Sequence, residues 1–170
     1  MPGIEVVRTY VEMRTAGSYT HSPAAPEGVR VRALARDDAA VYRRLYAGVG
    51  RDYHWVDRLE WTDAQLRAHL GRPDIEVFIL EVDGREAGWY ELAAHPDGSI
   101  EIVYFGLLPA FHRRGLGRFM LAEAVVRSWS RQPERVWLHT CTLDDPAALP
   151  NYLARGFTPY REERYQVVRD

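Results

Sequence analysis

The residues with the clearest chemical potential are His112-Arg113-Arg114-Gly115-Leu116-Gly117-Arg118, where two glycines stand two apart among three arginines. The period of the sequence changes just here, so the loop opens a helix. A helix start exposes unpaired backbone N–H groups and the positive end of its dipole, and glycines let an anion approach them closely. Taken alone, such a glycine pair also serves simply to let the backbone turn. Neither a G-x-x-x-x-G-K-[ST] loop nor the further glycine of the dinucleotide fingerprint is present. A second candidate is Glu101, in the run Glu101-Ile102-Val103-Tyr104-Phe105-Gly106-Leu107-Leu108. Alternation places Glu101, Val103 and Phe105 on one side and Ile100, Ile102 and Tyr104 on the other. A single carboxylate then joins an apolar face, either as a reactive group or as a strand-end residue reaching solvent. Glu91, with the parity of Trp89, is a second carboxylate of this kind. His139 and Cys141 share a strand face, but no third residue stands ready to orient them as a nucleophile pair, and such a cysteine is normally inert packing.

The elements that must hold these residues follow from periodicity and turn chemistry. Residues 4–13 mix β-branched, aromatic and polar types as a strand does, and residues 15–28 are rich in Gly, Ser and Pro, as in a linker. That gives a division into a strand and linker, 1–28, and a main domain, 29–170. A short strand at 29–34 precedes a helix that starts at acidic caps in Arg36-Asp37-Asp38 and ends at Gly48 and Gly50. Thr62 caps a second helix that stops at Gly71 and Pro73. Residues 76–82, 85–94 and 99–108 form a meander joined by Asp83-Gly84 and His95-Pro96-Asp97-Gly98, both hairpin signals. A long amphipathic helix then carries Glu123, Arg127, Ser130 and Arg131 on its polar stripe. A strand at 136–142, a short helix at 146–154 interrupted by Pro150, and a strand at 160–168 complete the order. Gly106 inside the third meander strand signals a bulge or a close backbone approach.

The glycine loop, lying between a strand and a long helix, resembles the R/Q-x-x-G-x-G/A signature of the GNAT superfamily of acyl-CoA-dependent N-acetyltransferases. His112 stands where Arg or Gln is usual, with Arg113 and Arg114 beside it to supply charge. The order of elements from Val29 to Val168 resembles the family throughout. The resemblance implies one α/β (α+β) domain: a mixed, mostly antiparallel sheet of about seven strands flanked by about four helices, with an extra N-terminal strand. It implies acetyl-CoA as co-substrate, with the pyrophosphate on His112, Arg113, Arg114, Gly115, Leu116, Gly117 and Arg118, and no metal. It also implies that the strand splays from its neighbour at Gly106 to admit the pantetheine arm, and that backbone N–H groups around Leu107 and Leu108 hold the thioester carbonyl. Glu101 takes the place of a glutamate that serves some members as general base. Base help is needed, because an amine with a pKa near ~10 is protonated at neutral pH and cannot attack a thioester. Glu91 is the second candidate for that role. Tyr152, four residues before Gly156-Phe157, takes the place of the tyrosine that protonates the departing thiolate; Asp145 replaces a common Asn.

The aromatic segment Asp52-Tyr53-His54-Trp55-Val56-Asp57-Arg58-Leu59-Glu60-Trp61 lies where the family varies its acceptor walls. Tyr53 and Trp55 there suit an enclosure for a small amine, Arg58 a substrate carboxylate, and Asp52, Asp57 or Glu60 an ammonium; ordinary packing over the sheet is the alternative. The expected partner is a small-molecule or peptide amine. Charge is nearly balanced, with 22 Lys and Arg against 24 Asp and Glu, so neither a nucleic acid nor a membrane surface is expected. Cys141 is the only cysteine, which excludes an internal disulfide and fits a cytoplasmic protein, monomeric or homodimeric. Two other function classes remain open: a non-catalytic acyl-CoA-binding or sensing module, and a nucleotide phosphotransferase, which the missing Lys and metal-binding carboxylate argue against.

Overall fold

Alternating and β-branched runs form seven strands in the computed structural model, which describes residues 3–168. They are β1 (Ile4–Met13), β2 (Val29–Ala33), β3 (Ile75–Val82), β4 (Arg85–Ala94), β5 (Ser99–Leu107), β6 (Arg135–Cys141) and β7 (Thr158–Val167). All belong to one sheet of order β2-β3-β4-β5-β6-β1-β7. Only the β5–β6 pair is parallel. The N-terminal strand therefore lies inside the sheet, between β6 and β7. Asp83 and Gly84 both have positive φ, 50° and 78°, the backbone that a two-residue β3–β4 hairpin requires.

Four helices cover the sheet: α1 (Ala39–Gly50), α2 (Asp63–Leu70), α3 (Leu116–Trp129) and α4 (Ala148–Ala154). Asp38 caps α1 by accepting from Val41 N, and Thr62 and Gln65 close a capping box on α2. Tyr42, Leu45, Tyr46, Leu66 and Leu70 pack on one sheet face against Val77, Ile79 and Trp89. Leu116, Met120, Leu121, Ala124 and Val125 of α3, with Tyr152 of α4, pack on the other against Tyr90, Leu92, Ile100, Ile102 and Leu138. Pro150 leaves α4 intact, since it sits in the first turn, where its missing N–H removes no helical bond.

Three expectations are corrected here. Helix α1 does not stop at Gly48 but runs through Gly50, and its glycines serve packing: a Cβ at Gly50 would lie 2.5 Å from Trp55 Cβ. Gly50→Ala is thus expected to lose stability, because overpacking costs roughly 1–3 kcal/mol against roughly 0.5–1 kcal/mol gained in helix propensity. A thermal melt checks the sign. Second, Glu123 does not face solvent: it is 7% exposed and accepts a hydrogen bond from Tyr90, while Arg127 Nε donates to Tyr90 Oη and to Glu123 Oε1. Third, the simple alternation of β5 fails. Glu91 pairs with Tyr104 and Leu92 with Ile102, which leaves Val103 as a bulge residue. Phe105 then joins Ile100 and Ile102 on the α3 face, and Tyr104 joins the α1 side.

Candidate active site

The parallel β5–β6 ladder holds only for Ser99 with Arg135, Ile100 with Val136 and Glu101 with Trp137. Beyond Glu101 the two strands part, while β5 stays paired to β4 as far as Leu107. A wedge opens in the sheet with Glu101 at its apex. The strands are thus already apart at Gly106, which itself permits close packing of α1: a Cβ there would lie 2.5 Å from Val49 Cγ1.

At the far end of β5 the chain enters a 3-10 turn, Pro109–Phe111, and then the glycine loop. Arg113 and Gly115 both adopt positive φ, 60° and 73°. Among the described residues, the backbone N–H groups of Arg113, Arg114, Gly115, Leu116, Gly117 and Arg118 meet no protein acceptor, and no side chain caps α3. Arg113, Arg114 and Arg118 are exposed. A Cβ at Gly117 would meet only Leu107 Cδ1, at 3.7 Å, so packing within the chain does not demand glycine there. Donors, charge and open space together make an anion cradle. His112 is engaged elsewhere, since its Nε2 donates to the carbonyl of Leu107, 3.0 Å away, and ties the loop to the strand end. The Leu108 amide donates to Ala87 O at 2.8 Å and so is not free to meet an oxyanion.

The two carboxylates occupy opposite environments. Glu91 is fully buried, accepting from Tyr42 Oη at 2.7 Å, Arg58 at 2.8 Å and His69 Nε2 at 3.0 Å. Burial alone pushes its carboxyl up, but the His69 hydrogen bond, the Arg58 charge and Tyr42 outweigh it and hold the group below its ordinary value. Arg58 lies over the rings of Tyr104 and Trp61, 4.8 Å and 4.9 Å from their centroids, and also donates to Tyr42. Its guanidinium is thus engaged within the protein. Glu101 is less deeply buried than Glu91, at 9% exposure, and its Oε1 is 2.9 Å from His95 Nε2 and its Oε2 4.0 Å from His139 Nε2. Burial raises the Glu101 carboxyl above its ordinary value, with His95 pulling it partly back. Neither histidine is marked in the sequence as a partner of Glu101, since one lies in a hairpin turn and the other on a distant strand.

Tyr152 packs against Phe105 and Phe157, and burial, aided by Asp144 and Asp145, pushes its phenol well above the ordinary value. Its hydroxyl makes no hydrogen bond among the described residues. Trp55 packs on Tyr46, Trp89 and Tyr104, and Tyr53 reaches Asp145 at 3.4 Å, its phenol pushed up to about 12 chiefly by burial. Cys141, half-buried on β6, has its thiol pushed up by burial. Its backbone N–H donates to Asp144, which also accepts from Thr140.

Residues 40–157 match the sequence profile of the Acetyltransferase (GNAT) family. The chain is 29% identical over 165 residues to a mycothiol acetyltransferase of Thermomonospora curvata, covering 93% of this chain and 54% of that protein. Identity to the mycothiol acetyltransferase of Mycobacterium ulcerans is 27%, over 93% of this chain and 56% of that one. The chain therefore spans about half the length of the curated relatives it matches. In fold it is similar to a GCN5-related N-acetyltransferase from Sphaerobacter thermophilus, with a TM-score of 0.68 at 17% identity, covering 98% of this chain and 52% of that one.

Proposed function

Because this chain belongs to the Acetyltransferase (GNAT) family, we propose that it moves an acetyl or short acyl group from acetyl-CoA to a primary amine of a small molecule or peptide. Transfer is by direct attack within a ternary complex. The observation that carries this reading is the wedge between β5 and β6, which opens at Glu101 and lies beside a strand that leads into a loop of unpaired amides. The pyrophosphate rests on the amides of residues 113–118 with Arg113, Arg114 and Arg118, and the pantetheine arm runs into the wedge. Acetyl-CoA supplies the activated thioester. Glu101 takes the proton from the acceptor ammonium, the freed amine attacks the carbonyl, and Tyr152 gives its proton to the departing thiolate. Glu91 and Arg58 shape the acceptor wall through Tyr104, with Tyr53 and Trp55 beside them. Residues 29–170 carry the transferase site, and β1 from the segment before them completes the sheet between β6 and β7. Among the described residues no helix is long and apolar enough to cross a membrane, and we place the reaction in the cytoplasm.

Acetyl-CoA-dependent thiol release, screened over amino acids, polyamines, aminoglycosides and peptide N-termini, tests the proposal. Turnover with at least one amine class is expected; tight acetyl-CoA binding with no release across the panel would instead identify a sensing module. The cradle has its own check. Gly117→Ala should leave the melting temperature no lower and raise KM for acetyl-CoA about tenfold, which corresponds to the loss of about 1.4 kcal/mol of binding. An unchanged KM would remove the pyrophosphate from this loop.

A further inference from the structure

Glu101 is held by an imidazole that is itself held by a chain of contacts, and nothing in the family reading requires either. His95 follows β4 directly, where its backbone N–H donates to Ser99 O at 2.9 Å and closes the hairpin onto β5. Its ring lies against Trp137, with centroids 5.5 Å apart. Trp137 is fixed in turn by its Nε1 donating to Ser99 Oγ at 3.0 Å, and Ser99 Oγ donates to Asp97 Oδ1 at 2.6 Å. Arg135 stands 3.7 Å from Asp97 and stacks over Trp137. The ring is thus oriented by a turn, an indole and a hydroxyl, with Nε2 aimed at Glu101 Oε1. His95 is the more exposed partner, its side chain 37% accessible against 12% for Glu101.

We propose that His95 is a positioning residue for Glu101: its Nε2 holds Oε1 so that Oε2 faces the acceptor. This rests on the reading of Glu101 as the base. The charged groups around the pair are few. His139 faces Oε2 from β6; Glu91 on β4 and Arg58 act on Glu101 from farther off, and Asp97 lies on the far side of His95. His139 is itself influenced by Arg8, Asp144, Glu163 and Asp57, and burial holds it below its ordinary value. His95 is therefore the close partner that draws the Glu101 carboxyl down against its burial, by hydrogen bond and by charge. In the transfer step the ammonium N–H bond breaks and an O–H bond forms at Oε2; when product leaves, that proton passes to water and the carboxylate is restored.

The test follows the carboxyl carbon of Glu101 by NMR in uniformly labelled protein, assigned by its loss in Glu101→Gln. In His95→Ala the titration midpoint should rise by about one pH unit, and the acid limb of kcat/KM for the fastest acceptor of the amine panel should move with it. His95→Gln, which retains a donor without a charge, should restore the plateau rate while the limb stays displaced. A midpoint unchanged in His95→Ala overturns the inference, as does a lowered plateau with no displacement of the limb, which would make His95 merely structural. Failure of the parent reading looks different: Glu101→Gln would then turn over at the wild-type rate.

Discussion

Glu101→Gln is expected to lower kcat by about 10²-fold or more, the range that a positioned general base contributes, with little change in KM for acetyl-CoA. Glutamine keeps the shape and a partner for His95 but cannot take a proton, so the loss falls on the chemical step and steady-state kinetics resolves it. The variant should not be less stable at neutral pH. A carboxyl whose folded pKa is raised contributes stability that is fully present below its unfolded pKa and is lost as pH rises through the folded value. At neutral pH Glu101 is thus a mild liability to the fold that the neutral amide removes. A variant that melts no lower and turns over slowly is the combination expected of a residue retained for chemistry; full activity in Glu101→Gln would remove it from the mechanism.

Arg58→Ala should act the other way, on the fold. Glu91 is fully buried, and Arg58 is the cation that offsets its charge. Deleting one partner of a buried pair costs about 3–5 kcal/mol, a large share of a domain's typical stability of about 5–15 kcal/mol. The melting temperature is expected to fall on the order of 10 °C. The pH dependence has the opposite sign to that of Glu101. The Glu91 carboxyl is held low, so its contribution is present above the ordinary carboxyl range and is lost as pH falls through the folded value. The stability of the wild type should therefore drop steeply in acid, and that of Arg58→Ala more gently. The same comparison separates the two glutamates: if Glu91→Gln keeps its melting temperature and loses turnover, Glu91 and not Glu101 is the base.

The parts of the site that depend on local chemistry could be read from the residues. Gly115 and Gly117 at a change of period mark a helix start, and Asp83-Gly84 marks a hairpin, because backbone conformation there follows from residue type. What could not be read depends on distant partners. Glu123 looks like any solvated helix glutamate until Tyr90 arrives from β4. Val103 carries no mark of a bulge, yet its insertion reverses the faces of Tyr104 and Phe105. Gly48 and Gly50 look like a helix stop because glycine serves both as a terminator and as a seat for a close neighbour, and only Leu108 at the first and Trp55 at the second decide between them. His139 becomes a neighbour of Glu101 only through the sheet order, which hairpin signals leave open at the parallel β5–β6 step, whereas His95 reaches it across the β4–β5 turn.

That sheet order also governs when the molecule can assemble. The first strand of this sequence, β1, pairs with its last, Ile4 opposite Val167, and β7 has no other partner in the sheet. On the ribosome β1 can meet β6 only after Val136 has been made, and it must wait for Thr158 to Val167 before β7 reaches it. Contacts of such long sequence separation slow folding and leave strand edges exposed meanwhile. Arg161, Glu162, Glu163 and Arg164 on β7 give the outer edge of the completed sheet a dense run of charge, which discourages pairing with another chain.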